Sequence, residues 1–226
     1  MYSDLLVLLY GVAQGSVLGP TLFKIYIRSL YKYVEPTKFI IEGFVNDHQL
    51  IKQFMICLQQ KALGENIRNL LSHIADWMNE YFLCLNQGKT KILVIAPPSV
   101  QPEIVIRGIF IENICIRFVK SAKNLGVILD DELSFESQIN KVIKVCYATI
   151  KRLSQIKGYL CEEELKQLVS SYIFSLMDYC NALYYGINAN LMKKLQRVQN
   201  SAARLVSKTK IPSGRFAEVA LVESEI

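Results

Sequence analysis

The chain has 226 residues, enough for one large domain or two small ones, and its 51% hydrophobic and 20% charged content excludes wholesale disorder. Its net charge of +6 is uneven: residues 1–132 carry 13 basic and 12 acidic side chains, while residues 138–215 carry 13 against 4. A basic segment joined to a near-neutral one suits a polyanionic partner, and it equally suits a solvated helical surface.

Leu5–Tyr10 is the first apolar run, preceded by Asp4. It is too short and wrongly flanked for a signal peptide, and no run long enough for a transmembrane helix follows. The expectation is an intracellular protein, nuclear or cytoplasmic, not secreted and without membrane contact. Gly11–Pro20 (GVAQGSVLGP) holds three glycines, which reads as a loop with close backbone approach. Pro20 suits the first turn of a helix, in which Leu22, Phe23, Tyr26, Ile27 and Leu30 recur at helical spacing. Lys38–Phe44 and Gln49–Phe54 are strand-like, and Val45-Asn46-Asp47-His48 between them reads as a hairpin with Asn46 and Asp47 at its tip.

Leu63–Leu85 is helical, with Ile67, Leu70, Leu71, Ile74, Trp77, Met78 and Tyr81 in steps of three and four. A turn at Asn86-Gln87-Gly88 and a strand over Lys91–Ala96 follow, broken by Pro97-Pro98. Ile104–Ile106, Ile109–Phe118 and Leu125–Leu129 read as short strands, with turns at Gly108 and Gly126. Residues 1–132 therefore form an α+β domain of helices and hairpin sheet, with its boundary at Asp130–Leu133.

After Ser134, a plausible N-cap with Glu136 in the first turn, the pattern is all helical. Ile139, Val142, Ile143, Cys146, Ile150 and Leu153 share one face. A second helix opens at Glu162–Glu164 and runs toward Asp178. A third spans Asn190–Ser207, with Leu191, Leu195, Val198, Ala202 and Leu205 on one stripe. Lys193, Lys194, Arg197, Arg204 and Lys208 lie opposite. Six cysteines lack zinc spacing and read as reduced, buried thiols. His48 and His73 are the only histidines, which disfavours a His-dependent triad.

Several blocks, in this order, carry a resemblance. Gly11–Pro20 resembles the QGSxLGP signature of reverse transcriptases of non-LTR (LINE-type) retrotransposons, with Ala13 where the family usually has proline. Phe44-Val45-Asn46-Asp47 with Gln49-Leu50 resembles the YxDD or FxDD box and its continuation. Leu83-Cys84-Leu85-Asn86 with Lys89-Thr90-Lys91 resembles the LxLNxxKT block. Asn124-Leu125-Gly126-Val127 with Leu129-Asp130 resembles NLGVxLD. Met177–Asn181 and Leu195–Arg204 resemble two blocks of the thumb-like region that follows. The match is collinear over roughly residues 11–206.

The resemblance implies a partial right-hand polymerase palm over residues 1–132, a helical thumb-like region over 133–210 and a divergent tail over 211–226. It implies an origin in an RNA-directed DNA polymerase that copies an RNA template from a DNA primer, with Mg²⁺ held by carboxylates. Asn46 stands where the family has its first metal-binding aspartate. An amide oxygen carries no net charge, so the position is degenerate, and Asp47 matches only the second carboxylate. The block bearing the other essential aspartate is expected tens of residues before Gly11, which ten residues precede. The chain is therefore expected to be a piece cut at both ends and catalytically inactive.

By the same resemblance, Gln14, Gly15 and Ser16 sit where the loop meets template and incoming nucleotide. Lys89 matches the proposed proton donor to pyrophosphate, and Leu125 and Gly126 match the primer-grip turn. Asp130-Asp131 reads as turn residues before a helix and not as a metal site. Two inactive readings stand beside each other: a relic with no selected function, and a remnant that contacts primer–template through its basic helices.

Overall fold

The computed structural model of the chain describes residues 15–45, 47–86, 88–100, 108–111 and 114–207. It divides into two compact units, Met1–Leu125 and Gly126–Ile226. The Leu5–Tyr10 run, the Ile104–Ile106 strand and the 211–226 tail lie outside the described residues.

In the first unit, α1 (Gly19–Tyr26) starts with Pro20 in its first turn, where a missing N–H costs nothing. The single helix expected through Leu30 is broken at Ile27, and α2 (Arg28–Val34) continues beyond it. The break turns Ile27, Leu30 and Val34 into the core but leaves every side chain of α1 itself unburied. A short 3-10 turn, Glu35–Thr37, follows, and Lys38 adopts a left-handed conformation before the hairpin begins.

Strands β1 (Ile40–Phe44) and β2 (Asp47–Ile51) pair antiparallel from Ile40↔Ile51 to Phe44↔Asp47. The Lys52 ammonium closes the open end: it donates to the carbonyls of Thr37 (3.3 Å) and Lys38 (3.1 Å) and lies 4.9 Å from the Phe39 ring centre. Helix α3 (Ile56–Glu80) begins and ends earlier than its periodicity suggests. Its end is fixed by Phe82 at φ 52°. The Leu83 N–H reaches the Met78 carbonyl (2.7 Å) and the Phe82 N–H that of Asn79 (3.2 Å), a Schellman ending with phenylalanine in the usual glycine position. Leu70, Ile74 and Trp77 pack with Ile27, Leu30, Val34 and Phe39 in one cluster. Leu71, on the other flank of α3, packs with Ile109 and Ile116 in a second.

The strand expected over Lys91–Ala96 is reduced to one parallel bridge, Ile92↔Phe118, because the chain there pairs along no continuous neighbour. Ile109–Phe118 is not one strand. It is a hairpin of β3 (Gly108–Ile111) and β4 (Ile114–Arg117), so Gly108 lies in a strand. The polar β5 (Ser121–Asn124) has no apolar alternation to announce it. Among the described residues the strands form separate two-stranded sheets, so the sheet expected within residues 1–132 is three hairpins in sequence.

The Leu125-Gly126 turn, with both residues at positive φ (43° and 92°), leads to β6 (Val127–Asp130) at the start of the second unit. The boundary read from sequence, after Asp130, lies a few residues later. Val127 is buried in the helical core, which draws β6 into that unit. Gln138, itself buried, accepts the Ile128 N–H through Oε1 (3.0 Å) and ties β6 to α4 (Glu136–Ile156). Ser134 does accept the Glu136 N–H (3.4 Å), while the Asp130 carboxylate organises the turn that leads into α4. It accepts the N–H groups of Glu132 (3.2 Å), Ser134 (2.7 Å) and Phe135 (2.8 Å).

Helix α5 (Glu162–Val169) opens with a capping box built on a thiol. Cys161 Sγ accepts the Glu164 N–H (3.4 Å), and Glu164 Oε2 accepts the Cys161 N–H (2.8 Å). A π turn over Ser170–Phe174 leads directly into α6 (Ser175–Asp178). Leu165, Val169, Ile173 and Met177 are all buried. Four-residue steps drift around an ideal 3.6-residue helix, and the wider turn corrects that drift. Helix α7 (Ala189–Val206), capped by the Asn188 side chain on the Asn190 N–H, buries the five stripe residues named above. They close one core with Ile139, Val142, Cys146, Leu153, Ile173 and Tyr184.

Candidate nucleic-acid-contacting sites

Hairpin β1–β2 closes at the Phe44↔Asp47 pair, which leaves a two-residue loop beginning at Val45. Such a loop demands positive φ, and Val45 takes φ 55° although its branched Cβ disfavours it. Asp47 is therefore not at the tip: it is the first residue of β2, opposite Phe44, and its side chain is exposed. Asn46 lies outside the described residues, as do Gln14 and Lys208. Gly15 is exposed at φ 87°, and the Ser16 carbonyl accepts the Gly19 N–H (3.2 Å), leading into α1.

The face of α1 and α2 beside the hairpin holds residues that sequence periodicity did not single out. Lys24, Arg28 and Tyr31, at helical spacing, line a cavity of about 210 Å³ with Gly43 and Val45. A side chain at Gly43 would collide with the Tyr31 hydroxyl and come within 2.9 Å of His48 Cδ2, so glycine permits that approach. Among the described residues no group of three or more His, Cys, Asp and Glu gathers to hold a metal ion. The hairpin's described carboxylates, Glu42 and Asp47, are both exposed, and Lys24 and Arg28 line the cavity beside its turn.

Two of the sequence blocks meet. Gln49, in β2, donates from Nε2 to Asn124 Oδ1 at 2.7 Å, linking the hairpin to the strand before the Leu125-Gly126 turn. Lys89 is exposed in the turn after α3, where its N–H is bound by the carbonyl and side-chain oxygens of Asn86 (both 3.1 Å). Leu125 is 41% exposed. A Cβ at Gly126 would stand 3.5 Å from the Tyr179 ring, so the turn rests on that tyrosine. Asp130 is committed to the backbone N–H groups of the turn before α4.

In the second unit, Lys193, Lys194 and Arg197 line one groove of about 650 Å³, while Arg204 is exposed farther along α7. The Lys194 ammonium donates to Asn140 Oδ1 (3.3 Å). The thiols are not uniformly buried: Cys146 is enclosed, Cys180 half-buried, and Cys84 and Cys161 exposed. Burial pushes the Cys146 thiol above the ordinary thiol range. Among the described residues no helix is long and apolar enough to cross a membrane.

The chain matches three polymerases of Drosophila melanogaster mobile elements. It is 25% identical over 217 residues to a probable RNA-directed DNA polymerase from transposon BS, covering 91% of the chain and 23% of that protein. It is 23% identical over 212 residues to one from transposon X-element, covering 87% of the chain and 22% of the relative. It is 22% identical over 208 residues to the RNA-directed DNA polymerase from mobile element jockey, again covering 87% of the chain and 22% of the relative. The chain thus spans less than a quarter of the length of these relatives. No protein-family model and no solved structure matches it. The collinear blocks and these relatives agree: over about nine-tenths of its length, the chain is related to a segment of the RNA-directed DNA polymerases of non-LTR retrotransposons.

Proposed function

We propose that the chain is the C-terminal part of a reverse transcriptase palm with its thumb-like helices, and that it contacts nucleic acid without carrying out polymerisation. The observation that carries the binding reading is the division of α7 into a buried apolar stripe and an exposed face bearing Lys193, Arg197 and Arg204, with no acidic residue on the helix. Lysine and arginine on such a face displace condensed counterions from phosphates. The relatives' polymerase activity supports template and primer strands as the ligands. Inactivity rests on Asn46. A polymerase uses two metal ions to lower the primer hydroxyl's pKa and to neutralise the leaving pyrophosphate, and an amide in a ligand position weakens that charge balance. Loss of one carboxylate ligand costs several kcal/mol in the transition state, or many hundredfold in rate.

The test measures affinity of the full chain for a primer–template across a salt series, alongside primer extension with Mg²⁺. The expected result is log affinity falling linearly with log salt, and no extension. A flat salt response overturns the binding reading. Extension that disappears in Asp47→Ala overturns the inactivity.

A further inference from the structure

The groove beside α7 has two kinds of wall. One is cationic: Lys193 and Arg197 stand one helical turn apart on the exposed side, and Lys194 is steadied by Asn140. Among the described residues, no carboxylate pairs with any of the three. Among the described residues, Glu136 is the one acidic residue lining the groove.

The other wall is apolar and exposed. Tyr184 and Tyr185 are adjacent but point in opposite senses. Tyr184 is buried edge-on against Phe135, with ring centres 6.0 Å apart, whereas Tyr185 is 97% exposed. Gly186, at φ 80°, reverses the chain immediately after Tyr185. Leu133 and Leu183, each more than two-fifths exposed, line the same groove. The groove thus offers a free aromatic face with aliphatic flanks on one side and three cations on the other.

The geometry points to a binding groove for single-stranded nucleic acid, in which Tyr185 stacks on an unpaired base while Lys193, Lys194 and Arg197 take the phosphates of the same strand. This inference rests on the nucleic-acid reading above and narrows it. A duplex buries its base faces in its own stack and uses only the cations. A free phosphate leaves the ring unused. An unpaired nucleotide matches both walls, and the volume of about 650 Å³ is in the range of ligand-sized sites.

The experiment compares fluorescence anisotropy of the full chain with a labelled oligodeoxythymidylate and with a blunt RNA–DNA duplex, each across a salt series. The unpaired strand is expected to bind more tightly than the duplex at equal salt. Tyr185→Ala should weaken the single strand about tenfold and leave the duplex unchanged, and Tyr185→Phe should restore the single-strand affinity. Lys193→Gln with Arg197→Gln should weaken both ligands and reduce the single-strand salt slope by about 1.4. All these side chains are exposed, so unchanged melting temperatures confirm intact folds. If Tyr185→Ala leaves single-strand affinity unchanged while the double cation variant weakens both ligands, the stacking groove is overturned and nucleic-acid contact by α7 survives. If neither ligand binds in a salt-dependent way, both readings fall.

Discussion

The two units solve the same burial problem differently. The second closes one core over α4, α5 and α7, with Ile139, Cys146, Ile173, Val198 and Ala202 withdrawn completely from solvent. The first divides its apolar side chains between two smaller clusters on either flank of α3. It leaves Val17, Ile25, Ile40, Phe44 and Met55 more than half exposed. The difference teaches that amphipathic helices can satisfy one another with their own stripes, whereas a two-stranded hairpin covers only one of its faces and has open edges.

The largest effect should come from the core that is complete. Ile139→Ala removes a fully buried side chain and should cost about 2–5 kcal/mol in urea unfolding of the full chain. Hydrogen exchange should place that loss in α4 and α7, whose amides are expected to exchange far more slowly than those of β1 and β2. Equal protection in the hairpin and the helices would break the contrast between the units. Asp130→Ala comes next, because it removes the acceptor of three N–H groups in the turn that leads into α4. It should cost about 1–2 kcal/mol, and Asp130→Asn should recover much of it. A smaller change of opposite sign is expected in the first unit. Phe82→Gly relieves a left-handed phenylalanine that is 95% exposed and should stabilise by about 1 kcal/mol. Calorimetry showing a lowered melting temperature for Phe82→Gly would contradict that account of the helix ending.

The thiols sharpen the comparison most gently. Alkylation followed by peptide mapping should modify Cys84 and Cys161 rapidly and Cys146 slowly. Because the Cys146 pKa is raised in the folded state, the unfolded chain releases this proton first. Its contribution to stability is therefore present below the ordinary thiol pKa. It is lost as pH rises from that value through the folded one. A Cys146→Ala variant should show a weaker alkaline loss than the parent chain.

The helical half was legible because each stripe is local. The periodicity of Leu191 to Leu205 needs no information from elsewhere, and all five residues are buried as expected. The Gly126 turn was legible for a similar reason: a glycine with positive φ punctuates the chain wherever it occurs. The strands were harder, because pairing is a property of two segments. Ile109–Phe118 is apolar enough for one long strand, and only the fold of Ile114–Arg117 back onto Gly108–Ile111 makes it a hairpin. Lys91–Ala96 has strand composition but finds one bridge. Asp47 was displaced from the tip by register: the Phe44↔Asp47 pair fixes the loop one residue earlier than the turn-forming residues suggest. Of the candidate sites, the cations of α7 followed from helical spacing. The Lys24–Arg28–Tyr31 face was missed because what makes it a cavity is its approach to Gly43 and Val45 of the distant hairpin, and Tyr185 because it sits outside any periodic element.

The Gln49–Asn124 hydrogen bond joins positions 75 apart in sequence. Each partner is an amide, so the bond survives only when one residue presents its NH₂ and the other its oxygen. Replacement of either by an aliphatic residue strands a partly enclosed polar atom in the other. Substitutions at the two positions should therefore not be inherited independently. A lineage that loses Gln49 relaxes the selection holding Asn124, and a compensating change at one should follow a change at the other. Drift in the hairpin block should in this way be recorded in the block that precedes the Gly126 turn.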